Sequence, residues 1–553
     1  MRLRSIRHRR AVRGERGFSL VLTVIVLFVV TALLAGAFDA VFFNSRATRN
    51  DLDQKRALLA ADAGLSIYDQ QLNANPNYWD TCPSGGTTGL TGLSVPGSTD
   101  NGSTEYYSYK TLPATGSTGC NASNPIATTI EPSSSAAAAG SFRAEFTGSS
   151  GKITRTIVAQ FQPPSFLNYV YFTNYEIGDP TALNETGSQA TACTSYTWST
   201  PVPRNDSNCG GAINFITGDS INGPMHSNDD LAVCGTPSFG STSPSTPDTV
   251  EAHSIINPNN CANTPTINGA PVSATNEPTN NPLQLPANDA QLLQVADGGN
   301  SAHTNGCYAG AGCVFTGPTT IQLTGTTMTV TNAAFNGGVA DAGLALPSNG
   351  VIYVTNSTCT ATYSAQNSVY GNDAGCGDAT VWGNYSSSLT IGTDNNILIN
   401  GNIVQTGNVS TPTAAPSGST VLGLIANKFV RVVHPVTSNC QSNTTSGPYN
   451  GTTYTYTSNL DIDAAILALN DSFINDNFEC GTPLGTLTVW GAIAQNFRGF
   501  VGTESNGTVA TGYLKNYNYD TRLATLSPPA FLNPVTDWSV ARVTECGDAS
   551  GAC

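Results

Sequence analysis

Hydrophobic positions follow three rhythms in succession along this chain. The first is unbroken: residues 18–38 (FSLVLTVIVLFVVTALLAGAF) are 21 positions without a charge. As a helix rising 1.5 Å per residue, such a run spans about 31 Å, close to the hydrocarbon thickness of a bilayer. The second rhythm is helical. From 40 to 73 there is no proline and a single glycine, Gly64, while Leu58, Ala61, Leu65, Tyr68 and Leu72 recur at spacings of 3 and 4. That is one stripe of an amphipathic helix. Asp51, Asp53, Lys55, Arg56, Asp62 and Asp69 surround the stripe, and Pro76 ends it. Both rhythms together predict a single helix of about 55 residues over 18–75, apolar throughout in its first half and striped in its second.

The third rhythm is that of strands. Residues 141–146 and 152–158 form a candidate hairpin around a Gly/Ser turn. They predict a small β-meander over 76–162. Pro163-Pro164 marks a boundary. Beyond it, short apolar runs such as 351–354, 389–391, 397–403, 421–433, 460–469 and 487–493 are separated by Gly- and Asn-rich corners. Irregularly spaced short strands with such corners suit a parallel β-helix, each coil stacked on the last. A β-sandwich is the alternative and would show cleaner period-2 hairpins. The expected fold class is mainly β with a long N-terminal α-helix. The long helix and small β-meander precede a β-helix-like (solenoid) body over 163–553.

Charge fixes a direction on this layout. Residues 1–17 hold seven arginines against Glu15, and the remainder carries 15 basic and 36 acidic side chains. A basic flank before an apolar helix places the N-terminus on the cytoplasmic side and the body outside. A cleaved secretory signal is the competing reading, with Ala35-Gly36-Ala37 as its cleavage site. Charged residues make up only 11% of the 553 positions, against roughly a quarter in ordinary soluble domains. Hydroxyls and amides solvate such a surface, a composition that fits an extracellular body. Its acidity argues against binding to a phosphate backbone, so no nucleic-acid partner is expected.

All fourteen cysteines follow residue 80. They fall as near neighbours: Cys82 and Cys120, Cys193 and Cys209, Cys234 and Cys261, Cys307 and Cys313, Cys359 and Cys376, Cys440 and Cys480, Cys546 and Cys553. An even count outside the leader reads as disulfides formed in an oxidising compartment. Sequential pairing is the leading expectation, although spacing alone leaves connectivity open. No CxxC cluster supports a structural zinc site.

A short basic leader ending in Arg16-Gly17, then Phe18 and an apolar helix, resembles the class III signal of type IV pilins and pseudopilins. The resemblance implies cleavage by a prepilin peptidase between Gly17 and Phe18, and methylation of the new terminus. The fifth mature position, usually Glu, is Leu22 here. In this the chain is similar to PilX-type minor pilins and the K-type pseudopilin of type II secretion. Residues 54–64 (QKRALLAADAG) resemble the alanine-rich segment of the PilX N-terminal family. The blocks 165–173, 223–229 and 460–469 resemble pilus-assembly, PilX-like surface proteins of high-GC Gram-positive bacteria. The implied role is a minor, tip or assembly-initiating surface subunit without enzymatic activity, with adhesion to an unknown surface ligand as a further expectation. Its partners would be the membrane, the prepilin peptidase and other pilin subunits.

Candidate chemistry is sparse. His226 stands beside Ser227 and Asp229, but adjacent residues in a turn point apart, whereas a triad must converge. Asp461 and Asp463 alternate onto one strand face. Paired acids of that kind serve polysaccharide-cleaving β-helix enzymes, so a membrane-anchored enzyme of that class is the rival reading. An unprocessed cell-envelope scaffold is a third. Asp229 with Asp230 and Asp471 with Asp476 are further acidic pairs, which in loops suit Ca²⁺ at most. No phosphate-binding loop occurs. Tyr78-Trp79 are expected to cap the junction of helix and body.

Overall fold

The computed structural model describes residues 18–553 except 76, 87–91, 99–103, 124–127, 132–140, 163–164, 186–192, 194–212, 243–246, 258–260, 272–282, 301–304, 371–374, 447–451, 525, 535–537 and 547–553, and without the side chains of Phe18, Ser19, Asn336 and Ser446. The molecule is mostly β, with one long N-terminal helix and a sheet-rich body.

That helix runs unbroken over Phe18–Ala74. Residues 20–52 bury almost nothing: Phe28 and Phe43 are each 74% exposed. The second half docks. Ala57, Ala60, Ala61, Tyr68 and Leu72 are buried, and Leu58 and Leu65 pack beside them. The stripe lies on strands Phe142–Ser150 and Ile153–Gln162, a hairpin longer than its sequence pattern suggested. Cross-strand pairs Phe142–Phe161 and Phe146–Ile157 face the helix. Tyr68 inserts edge-on among them, 5.5 Å from the Phe146 ring and 5.4 Å from Tyr109. Tyr78 and Trp79 close the helix end. The Tyr78 hydroxyl is 2.9 Å from that of Tyr109, and Trp79 stacks on Phe142.

The small sheet is antiparallel, in the order Ser84–Gly85, Tyr106–Thr111, Phe142–Ser150, Ile153–Gln162, Ser539–Glu545. Its last strand comes from the far end of the chain. Ser539 pairs with Gln162 and Glu545 with Ile157. The chain leaves the small sheet after Gln162 and returns beside the same residue. Ladder bonds that Ile153–Gln162 would otherwise leave open are thereby satisfied.

The body is built on parallel ladders. One column runs Cys313, Ile352, Ile391, Leu424, Ile466, Ile493, Tyr171, Met225, Val250, each residue opposite the next. A second runs Ile403, Ile462, Val489, Tyr517, Ile221, Phe239, Ile267. Chain order and column order differ. The chain enters mid-column at Tyr171, proceeds to Val250, restarts at the far end with Cys313 and comes back to Ile493, which pairs with Tyr171. Antiparallel hairpins cover both ends: Thr266–Ile267 with Ala270–Pro271 at one, and Thr319–Gly325 with Thr327–Asn332 and Asp341–Ala345 at the other. They shield edges that would otherwise recruit another chain.

The apolar runs are continuous rather than alternating because their strands are buried on both faces. Ile352, Leu424, Ile466 and Ile493 fill the interior, while their neighbours Tyr353, Ile425, Leu467 and Ala494 form a second core. Leu292 of the short helix Ala290–Ala296, Phe166, Leu523 and Phe531 cover that second core. Each fully buried aliphatic side chain contributes about 1.5–3 kcal/mol.

Disulfides join Cys82 to Cys120, Cys234 to Cys261, Cys307 to Cys313, Cys359 to Cys376 and Cys440 to Cys480. Cys193 and Cys546 are also disulfide-bonded, and the residues expected to pair with them, Cys209 and Cys553, lie outside the described residues. Loops of 17 and 40 residues are restrained in the unfolded chain by about 3–4 kcal/mol each on the chain-entropy account.

Candidate functional site

The largest unpartnered surface among the described residues is the first half of the helix. Residues 20–38 present Leu, Val, Ile and Phe on every side, so no face is reserved for the protein's own core. A helix apolar all round needs an apolar surrounding, either lipid or other helices. The span is long and apolar enough to cross a membrane. Thr23 and Thr31 return their hydroxyls to carbonyls of the preceding turn, at 2.9 and 2.8 Å, leaving no side-chain donor unsatisfied there. Of the expected processing pair, Gly17 lies outside the described residues and Phe18 opens the helix.

The docked half approaches the sheet unusually closely. A Cβ built on Gly148 would lie 2.0 Å from the Ala57 carbonyl oxygen and 2.3 Å from the Ala61 nitrogen. Only glycine on the strand, facing alanines on the helix, permits that contact. Sequence reading found the stripe but missed Ala57, Ala60 and Gly148. The signal available was the run of small residues in 57–63.

Most of the residues singled out for chemistry are engaged elsewhere, while Asp461 Oδ1 and Asp463 Oδ1 are buried without a hydrogen-bond partner among the described residues. His226 is buried, with Nδ1 2.8 Å from Glu251 Oε2 and Nε2 3.0 Å from Asn228 Oδ1. Ser227 Oγ contacts Thr173 Oγ1 at 3.1 Å, not His226. Asp229 accepts from the backbone nitrogens of Glu176 and Asp230. Asp230 Oδ1 is 2.6 Å from His253 Nδ1 and accepts from Ser254. Asp461 and Asp463 do share a face, but a covered one. Asp463 Oδ2 accepts from Gln405 N and Asn408 Nδ2, and the two acids are 5% and 1% exposed. Asp476 is a structural acceptor. It takes a bidentate Arg431, at 3.0 Å to each oxygen, together with the hydroxyls of Tyr363, Ser368 and Tyr370. Asp471 lies beside Asp179, whose carboxyl takes the Ser472 hydroxyl. No group of three or more His, Cys, Asp or Glu side chains among the described residues is placed to hold a metal ion.

Burial raises the proton affinity of three carboxyls, those of Asp289, Asp463 and Asp471. The Tyr353 hydroxyl lies 2.7 Å from Asp289 Oδ1 and 2.6 Å from Asp394 Oδ1. It has one proton to give, so one carboxyl must supply the other. Burial pushes Asp289 up to about 7, and the nearby Asp394 adds to this. Burial likewise raises Asp463 to about 7 and Asp471 to about 6. A carboxyl with a raised folded value stabilises the fold while protonated. Its contribution is complete below the unfolded value of 3.8 and is lost as pH rises through the folded one. The thermal midpoint should therefore fall between pH 5 and pH 8, by the equivalent of a few kcal/mol. Calorimetry across that range tests it, and the double variant D289N/D463N should flatten the decline. A level profile for the unaltered protein would mean that these carboxyls are ionised in the fold.

No protein-family model matches the chain, and no curated protein does. Among solved structures, the crystal structure of the competence-associated pilin ComZ from Thermus thermophilus is matched at 11% identity with a TM-score of 0.25, over 89% of this chain and 97% of that one.

Proposed function

We propose that the protein is a pilin-like minor surface subunit, anchored by its helix and displaying the body outside the cell. One observation carries this reading. A single helix of 57 residues gives its first half wholly to an apolar surrounding and its second half to an antiparallel sheet. A globular enzyme has no use for the exposed half. A filament or membrane subunit needs both, the first for assembly among other subunits and the second for carrying its domain. The Arg16-Gly17-Phe18 signal adds cleavage by a prepilin peptidase and a methylated Phe18. Leu22 in place of the usual Glu favours a PilX-type minor position at a tip or in initiation over a shaft subunit. The parallel columns favour a solenoid body, with the small domain over 76–162 as its base and the C-terminal strand added. The role is non-enzymatic, as the burial of Asp461, Asp463 and His226 favours.

Mass spectrometry of the mature chain tests the reading. A first residue of Phe18 carrying one extra methyl group is expected. An intact Met1 would instead favour an unprocessed envelope scaffold, and a terminus after Ala37 a secreted protein.

A further inference from the structure

The body carries a cleft of about 760 Å³, within the roughly 300–1,000 Å³ usual for small-ligand sites. It lies between residues 360–370, which follow the disulfide-bonded Cys359, and the column edge at 395–398 and 428–431.

Its floor has an unusual pair of side chains. Asn395 and Asn396 are each only 4% exposed, and one end of each amide is clamped. Asn395 Nδ2 donates to Asp378 Oδ1 at 2.6 Å, and Asn396 Oδ1 accepts from Phe429 N at 3.2 Å. These partners fix the orientation of both amides, since a carboxylate oxygen only accepts and a backbone N–H only donates. The unclamped ends are therefore an acceptor, Asn395 Oδ1, and a donor, Asn396 Nδ2. Neither has a protein partner among the described residues, and neither is sealed from solvent. A buried scaffold thus presents an acceptor and a donor from adjacent residues at the cleft.

The walls are rigid. Tyr363 and Tyr370 are held by Asp476 through their hydroxyls. Arg431 lies 4.1 Å over the Tyr363 ring, and Tyr370 stacks on Tyr454 at 4.7 Å. The disulfide ties down the loop that carries both tyrosines. A ligand entering here orders little of the protein, which preserves affinity. The lining carries Lys428 and Arg431 against Glu185 and Asp378, and Arg431 is already paired with Asp476, so no surplus of positive charge recruits an anionic ligand.

We propose that this cleft binds a short neutral oligosaccharide. Adjacent hydroxyls on a sugar ring can donate to Asn395 Oδ1 and accept from Asn396 Nδ2. The inference is independent of how the helix is used, so loss of either reading leaves the other standing.

The experiment is saturation-transfer NMR on the full chain in detergent with four probes: maltohexaose, cellohexaose, mannohexaose and hexagalacturonate. At least one neutral hexasaccharide should bind. Asn396→Asp keeps the oxygen that Phe429 N uses and replaces the free donor, so it should weaken binding about tenfold. Thr362→Trp, at an exposed lining position whose own side chain takes no part in the Asp476 network, should abolish binding without lowering the thermal midpoint. The proposal is overturned if no neutral probe binds at about 10 mM, weaker than any useful site. It is equally overturned if only hexagalacturonate binds, or if both variants bind as the parent does.

Discussion

Deleting residues 18–50 is expected to move the protein from the membrane pellet to the supernatant with its β structure intact. The physical basis is that this segment makes no contribution to the folded core. Val24, Leu27, Phe28, Leu33 and Phe42 are all more than 59% exposed, so no buried contact is lost with them. What is lost is transfer of the apolar segment from water, at about 25 cal/mol per Å². Graded versions follow the same logic. An arginine at Leu27 or Val30, near the middle of the apolar run, costs about 3 kcal/mol of insertion, and two together should release a large fraction of the chain. Ultracentrifugation of cell extracts measures the partition, and circular dichroism with thermal melting follows the fold. A deleted chain that aggregates with its sheets unfolded would show the segment to be part of a core, and membrane anchoring would have to be abandoned.

Gly148→Val is expected to undock the second half of the helix while sparing the body. A methyl-bearing carbon at this position meets the helix backbone itself, at Ala57 O and Ala61 N, and neither atom can rotate away. The helix must lift off the sheet, separating Tyr68 from Phe146 and Phe161. Overpacking of this kind costs about 3 kcal/mol or more, a large part of the ~5–15 kcal/mol that holds a domain together. Limited proteolysis should cut within residues 51–74 in the variant and not in the parent. Gly36→Ala is the matched control, because a Cβ there meets nothing within 4 Å. Equal protection of both variants would mean that the helix crosses the sheet at another angle.

The helix was legible because its signals are local. The uninterrupted apolar run and the 3–4 spacing of Leu58, Ala61, Leu65, Tyr68 and Leu72 both sit within a few turns of one element. The contact of Gly148 with Ala57 was not legible, since it joins residues far apart in sequence and leaves no periodic trace. Column order in the body was hidden for the same reason. Ile493 pairs with Tyr171, and no local pattern links the two. The strand Ser539–Glu545 escaped because every residue in it is exposed; it is held by backbone bonds, and apolar spacing cannot reveal it. For Asp461 and Asp463 the shared face was readable from strand alternation. What covers that face was not, because Gln405, Asn408 and Arg522 reach it from other parts of the chain. The amides of Asn395 and Asn396 looked like ordinary turn residues; only their clamped ends, visible in three dimensions, set them apart.

The return of the chain to the small sheet changes how the body is held. It hangs from two covalent straps, one leaving after Gln162 and one arriving at Ser539, fastened side by side at the same rung. A single protease nick in either strap leaves the body attached through the other. Tension on the body is divided between two strands that enter the small sheet at the same end. Twisting is restrained as well, because a pair of straps cannot swivel as a lone linker does.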